Sequence, residues 1–582
     1  MNPISSLDTQ PTRPTSTSIH REHCAQCSSL CKLDGEILEA QSTVDRLEFE
    51  VCENKSRLER LLGERKAMKA KLNAVHDRLT RKLPLELIAR IFRFCMPDDD
   101  GSISPRNSKK KGKNKVTLPP MPLLLGSISK MWQDIAWSIP HLWTCMTVYL
   151  RSTYDPCQLD AASAWLARSK VLPLSVHIKT VASRKGSKGP DPIIELINQH
   201  SSRWRKLTLA EVTASLVSQV RGDGTGAPAL QTLYIATVTT SSRRVPQQFV
   251  LDNVLPSPAK IDVRGFSFSA TKINWANATH IRLGGLCVAE CVTLFRTARG
   301  MVECQLEEAL SQNEIAHPNQ IPDEPIVHHL LSLNVASGSV DLLSRFLYLP
   351  SLTTLSYKHT GTDDIEDDIE AVRLSLDRWG CHLTVLCLEG IRIRQADLIQ
   401  LLGKPPFPLL ESLSLVRFTV DHHFLGLLHP KSQCVAAQHV QSSSSSSSSS
   451  DSENHFLPRL RSLSFHVSSD CTNFSWKAVL SLFPIHRPTR LGESESERED
   501  GHVAPRRRLP TLQHLGITLD SGRAARIVRG YSSDLLRIAD SGQADLSLTV
   551  PEGNRDLIKE FKEAQSASSA RKPKYSSLVG LI

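Results

Sequence analysis

No apolar run in the chain reaches the length of a membrane-spanning helix. Met1-Asn2-Pro3-Ile4-Ser5 lacks the basic and apolar regions of a secretory signal. Fourteen cysteines scattered over 582 residues form no disulfide framework, and several sit among apolar neighbours as small core side chains. These absences point to a reducing interior, cytoplasmic, nuclear or both, where Asn277-Ala278-Thr279 and Asn473-Phe474-Ser475 would go unglycosylated. Catalytic signatures are missing too. There is no Walker-type phosphate loop, no His-Glu-x-x-His and no Gly-x-Ser-x-Gly elbow. Ser127-x-x-Lys130 matches a hydrolase triplet by spelling only. The acidic run Asp363–Glu370 lacks the glycine and spacing of a calcium loop and reads as a solvated helix face. His422-His423 reads as a loop pair with no ligand partner at metal spacing. No enzyme, cofactor or metal is expected.

What is present is length, charge in one place, and rhythm. A chain of 582 residues exceeds one core, so several structural units are expected. Arg106, Lys109, Lys110, Lys111, Lys113 and Lys115 carry six of the net +10 charge, leaving +4 for everything else. They lie in a Gly/Ser/Asn-containing insert, 98–118, with no interleaved aromatics on which bases would stack. A solvated loop is expected there in preference to a nuclear address or a nucleic-acid patch.

Residues 1–32 open as a Pro/Ser/Thr-rich tail expected to be disordered. Its end, His23-Cys24-Ala25-Gln26-Cys27 followed by Cys31, has Cys-x2-Cys spacing but no second ligand pair nearby, so zinc is not expected. A helix over 33–80 carries a heptad seam: Ile37, Ala40, Val44, Leu47, Val51, Asn54, Leu58, Leu61, Arg65, Met68, Leu72, Val75 and Leu79. Eleven of these thirteen positions are apolar and the flanks are dense in Glu, Arg and Lys, which argues a coiled coil. Asn54 and Arg65 in the seam favour a low-order, register-specified assembly, so a homodimer is one expectation. A single helix folding back onto the chain's own body is the other.

After Trp143 an apolar triad spaced i, i+3, i+5 keeps returning. Its central members are Leu207, Leu233, Ile281, Leu333, Leu355, Leu386, Leu413, Leu463 and Leu515. The gaps between them, 26, 48, 52, 22, 31, 27, 50 and 52 residues, are about one or two leucine-rich-repeat periods. Helix-like pieces such as Ile365/Ile369/Val372/Leu376 lie between. The expectation over 160–550 is an irregular leucine-rich-repeat-like α/β solenoid, one short parallel strand per repeat. The serine run at 442–450 places a disordered loop over 436–456, and acidic then basic clusters place another over 488–508. Arg184–Gly189 reads as a shorter exposed loop, and the tail 566–582 as loose.

Between coil and repeats, residues 83–150 form a two-part apolar block split by the basic insert. Leu83-Pro84-Leu85-Glu86-Leu87-Ile88-Ala89-Arg90-Ile91-Phe92 starts with a proline suited to a first helical turn. Leu124, Leu125, Ile128, Trp132, Ile135 and Ala136 follow a helical rhythm in the second half. Helices this apolar need a partner surface, inside the chain or outside it. The L-P-x-E-L-(I/L)-x-x-I-F opening, Gly126-x-x-Ser129-Lys130-x-Trp132-x-Asp134-Ile135-Ala136 and Pro140-x-Leu142-Trp143 resemble an F-box of the form found in large families of mushroom-forming fungi. Ser129-Lys130 stands where those families often carry Cys-Arg. The resemblance implies a small all-α unit that docks a Skp-type adaptor, bridging to a cullin and a RING ubiquitin ligase. It implies docking through Leu83, Pro84, Leu87, Ile88, Ile91, Phe92, Leu124, Leu125, Ile128, Trp132 and Ile135, with a target protein held by the repeats. The whole reads as an α/β chain: coiled-coil helix, F-box, then solenoid. A scaffold outside any ligase, with 83–143 capping the solenoid, is the alternative.

Overall fold

The computed structural model describes residues 25–76, 82–96, 120–150, 155–180, 191–238, 248–251, 254–307, 322–336, 339–359, 366–390, 395–403, 407–418, 420–428, 456–467, 474–483, 512–519, 530–541, 545–550 and 555–570. The basic insert 98–118, the loops 184–189 and 488–508, and nearly all of 436–456 lie outside those residues, as do His23 and Cys24. The chain divides into two units at Leu142/Trp143, and each is described by itself.

In the first unit, helix α1 runs unbroken over Ala25–His76, 52 residues or about 78 Å at 1.5 Å per residue. No proline interrupts it, and Arg46 and Glu50 pair across one turn at 3.6 Å. It begins inside the stretch expected to be a disordered tail, so 25–32 are corrected to helix. Residues 77–80 of the expected helix lie outside the described residues. Every side chain from Ser28 to Leu72 is exposed. Three short helices follow: α2 (Leu85–Phe94), α3 (Met121–Gly126) and α4 (Lys130–Ser138).

The second unit is built on a 15-stranded sheet. In chain order its strands are β1 (Cys145–Leu150), β2 (Leu174–Thr180), β3 (Trp204–Val212), β4 (Thr232–Thr237) and β5 (Lys260–Arg264). Next come β6 (His280–Leu283), β7 (Glu303–Leu306), β8 (Ser332–Ala336), β9 (Thr354–Lys358) and β10 (Val385–Glu389). Then follow β11 (Ser412–Val416), β12 (Ser462–Val467), β13 (His514–Leu519), β14 (Asp545–Val550) and β15 (Arg555–Asp556). Each strand pairs with its sequence neighbour, in parallel until β15 turns back antiparallel on β14. This sequential parallel order is solenoid-like. No helix among the described residues is long and apolar enough to cross a membrane.

The central and last members of all nine triads fall on these strands, and their register explains the spacing. Leu333, Leu355, Leu386, Leu413, Leu463, Leu515 and Leu546 stand in one lateral row, each paired with the next. Every one of them is at most 6 % exposed. A repeated chain turn feeds each strand. The N–H groups of Thr353 and Thr354 both donate to the Leu331 carbonyl, those of Thr384 and Val385 to Thr353, and those of Glu411 and Ser412 to Thr384, all within 3.0 Å. Between turns, short helices cover the apolar row: Ile369, Val372, Leu376 and Trp379 are the buried side of the helix Glu366–Trp379, which packs on the helix Ser339–Ser344. Gly390 follows β10 at φ +78, where a Cβ would sit 3.0 Å from the His359 carbonyl oxygen, so only glycine is unstrained there.

The doubled gaps have two different origins. Strands β5, with Ile261 at its centre, and β7, with Cys304, fill the gaps of 48 and 52 residues around Ile281. The gaps of 50 and 52 residues after Leu413 are instead crossed directly: Leu413 pairs with Leu463 and Leu463 with Leu515. The sheet also begins earlier than residue 160, because Cys145–Leu150 pairs with β2 and so leaves the 83–150 block. It ends later than 550, closing on β15 and a helix over Leu557–Ala570 that includes the start of the expected loose tail. His422-His423 is not a loop pair but opens the helix His422–Leu427, whose Phe424 N–H donates to the Asp421 carboxylate at 2.9 Å.

Candidate functional site

The helical block 82–138 sorts its apolar residues into two classes. Pro84 precedes α2 with φ −55 and ψ 149, and its carbonyl accepts from the Leu87 and Ile88 N–H groups at 3.0 and 3.2 Å. The first turn thus starts on schedule without the proline's missing donor being needed. Ile88 and Phe92 then face inward, and the Phe92 ring lies 4.9 Å from that of Trp132 on α4. Leu125 and Ile135 complete the interior. Ser129 caps α4 by accepting from the Trp132 N–H at 3.2 Å, so a serine at this motif position fixes the helix start. Gly126 permits close packing, since a Cβ there would fall 2.4 Å from the Trp137 ring.

The outward class is Leu87 (46 % exposed), Ile91 (41 %), Ile128 (47 %) and Met131 (48 %), with Leu85, Phe94 and Leu123 also exposed. Of the residues singled out from the sequence, Pro84, Leu87, Ile91 and Ile128 lie on the surface, and Leu83, Leu124 and Trp132 are half-buried. Ile88, Phe92, Leu125 and Ile135 are buried and fill the interior of the block. Leu85, Phe94, Leu123 and Met131 are the surface residues that sequence reasoning passed over. Leu87, Ile91 and Phe94, at i, i+4, i+7, were a legible second stripe beside Ile88 and Phe92.

A second surface is the polar face of the sheet. Tyr234, Asp262, Arg282, Gln305, Asn334, Ser356, Cys387, Ser414, Ser464, Gly516 and Ser547 form one lateral row by strand register. The row changes character along the chain. Around β4–β7 it is charged and aromatic. Arg264 donates twice to Asp262, at 2.8 and 2.7 Å, lies 3.5 Å from Glu307, and stands 5.5 Å over the Tyr234 ring. Arg282 donates from Nε to Glu307 at 2.6 Å. Burial pushes the Tyr234 hydroxyl pKa up, overcoming the lowering pull of Arg264. Burial disfavours the Arg264 charge, but the Asp262 hydrogen bonds and the Glu307 charge leave its pKa raised. These guanidinium and phenol groups are the side chains that most often anchor protein partners. From β9 onward the row is small: Ser464 donates to Ser414 at 2.8 Å, and a Cβ on Gly516 would come 3.1 Å from that of Ser464.

His177 sits on this face at the β2 position and is only 7 % exposed. Its Nδ1 has no hydrogen-bond partner among the described residues. Burial, aided by Lys206 and Lys179, lowers its pKa from 6.5 to about 4. Between those values the unfolded chain binds a proton that the folded one refuses, so stability falls as pH drops from 6.5 toward 4. The full effect is about 3 kcal/mol. Urea midpoints measured across this window should fall on acidification in wild type and change less in His177→Gln.

Among the described residues no three His, Cys, Asp or Glu side chains gather as a metal would require. The buried thiols of Cys291 and Cys304 have pKa values raised chiefly by burial, Cys304 to about 12, and so are held as packing groups rather than nucleophiles. In comparison with known proteins, the chain matches no family model and no curated protein.

Proposed function

We propose that this chain is the substrate-recognition subunit of an SCF-type cullin-RING ubiquitin ligase. Residues 83–143 serve as an F-box that docks a Skp-type adaptor, and the parallel sheet serves as a leucine-rich-repeat-like solenoid that receives a target protein. One observation carries this reading: Leu87, Ile91, Ile128 and Met131 stay outside when the block folds, while their neighbours Ile88, Phe92, Leu125 and Ile135 fill its interior. The block therefore has a finished core and still offers large apolar side chains, the pattern of a docking surface. The resemblance of the motif residues to an F-box is what points to the adaptor as the partner. The target is held on the polar face, where Tyr234, Arg264 and Arg282 act as anchors and the small side chains beyond β9 admit close approach of a partner backbone. Bond chemistry belongs to the ligase, and the chain supplies proximity.

The test is capture of purified full-length chain by a Skp-type adaptor, wild type against Leu87→Asp plus Ile91→Asp. Both positions are exposed, so the block keeps its core. The charged pair should weaken capture roughly thirty-fold or more, as loss of a buried anchor does. Equal capture of both proteins refutes the docking face, and no capture of either leaves the scaffold reading in its place.

A further inference from the structure

Helix α1 carries an exposed seam that the adaptor reading does not use. Its heptad positions from Leu33 to Leu72 are open to solvent, among them Leu47 at 50 % and Leu58 at 57 %. A helix about 78 Å long with an apolar stripe broken only at Asn54 and Arg65 is covered by something in water. The charges beside the stripe say what. Flanking the seam, the N-terminal half carries Asp34, Glu36, Glu48 and Glu50, whereas the C-terminal half carries Lys55, Arg57, Lys69 and Lys71, with Glu64 the one acidic exception. One half of the helix is the electrostatic complement of the other.

We propose that α1 pairs with α1 of a second copy as an antiparallel coiled-coil homodimer centred between Cys52 and Glu53. In that register every flanking charge among the eight just named meets its opposite. Asp34 faces Lys69 and Glu48 faces Lys55 along one edge, while Glu36 faces Lys71 and Glu50 faces Arg57 along the other, each occurring twice by symmetry. The seam is matched in size as well. Ile37 meets Met68, Val44 meets Leu61 and Leu47 meets Leu58. Arg65, the bulkiest polar seam residue, lies opposite Ala40, the smallest. The two Asn54 side chains fall in adjacent central layers, about 4.5 Å apart along the axis, where they can hydrogen-bond across the dyad instead of being stranded in the seam. The parallel alternative sets Arg65 against Arg65 and Ala40 against Ala40. It also leaves only Glu50–Lys55 and Glu64–Lys69 as opposite-charge pairs. Charge, size and polar pairing thus agree on one orientation.

The inference does not depend on the adaptor reading, and its test is separate. Light scattering on the purified full chain should give twice the 64.6 kDa chain mass. Val44→Glu plus Leu58→Glu, placed on exposed side chains, should return one chain mass with an unchanged sheet spectrum. Orientation is read by oxidative cross-linking. A mixture of Leu33→Cys and Leu72→Cys proteins should form a linked dimer above the wild-type background, and either variant alone should not. A monomeric wild type, or a seam variant that stays dimeric, overturns the dimer. Self-linking of Leu33→Cys alone overturns the antiparallel orientation.

Discussion

Leu386→Ala is expected to destabilise the sheet unit by about 2–5 kcal/mol, the cost of a core cavity that its surroundings fill only in part. Leu386 has no exposure and lies in register between Leu355 and Leu413, both equally buried. Each strand of such a sheet contacts chiefly its two neighbours, so a cavity at β10 removes packing from β9 and β11 together. The contrast is one residue away. Cys387 occupies the polar face of the same strand and is half-buried, so Cys387→Ala should shift stability by no more than about 0.5 kcal/mol. Urea melts followed by circular dichroism measure both. A cost at Leu386 no larger than that at Cys387 contradicts the inward row.

Phe92→Ala is expected to cost about 3–5 kcal/mol in the helical block, which is enough to unfold so small a unit. Phe92 is 1 % exposed and packs its ring on Trp132 at 4.9 Å, joining α2 to α4. Hydrogen exchange should accordingly lose protection across Leu85–Phe94 in this variant. In Leu87→Ala, whose side chain is exposed, protection should remain. Both variants should bind the adaptor poorly, for different reasons. Retained exchange protection in Phe92→Ala would show that Phe92 is not the block's keystone.

That contrast marks where the sequence stops being legible. A 3.6-residue rhythm shows that α2 has apolar stripes, but Ile88/Phe92 and Leu87/Ile91/Phe94 fit the rhythm equally. Which stripe turns inward depends on where α4 places Trp132, and no local pattern contains that. The strands were easier. Nine triads were readable because leucine, isoleucine and large apolar residues recur at the same three positions. Strand β7 was missed because a cysteine, Cys304, stands at its centre, and β5 because Pro258 occupies the leading position before Ile261. The direct pairing of β11 with β12 was invisible for another reason: a gap of two periods looks the same whether it hides a strand or an insertion. The cluster of Tyr234, Asp262, Arg264, Arg282 and Glu307 spans three strands and the residue that follows a fourth, and exists only through their register.

The most direct measurement of the central claim is calorimetric titration of the full-length chain with a Skp-type adaptor, at several temperatures and two salt concentrations. An apolar docking face built on Leu87, Ile91, Ile128 and Met131 predicts saturable one-to-one binding per chain, a negative heat-capacity change, and little loss of affinity at the higher salt. Binding that collapses with salt, or an affinity unchanged by Leu87→Asp plus Ile91→Asp, would contradict it.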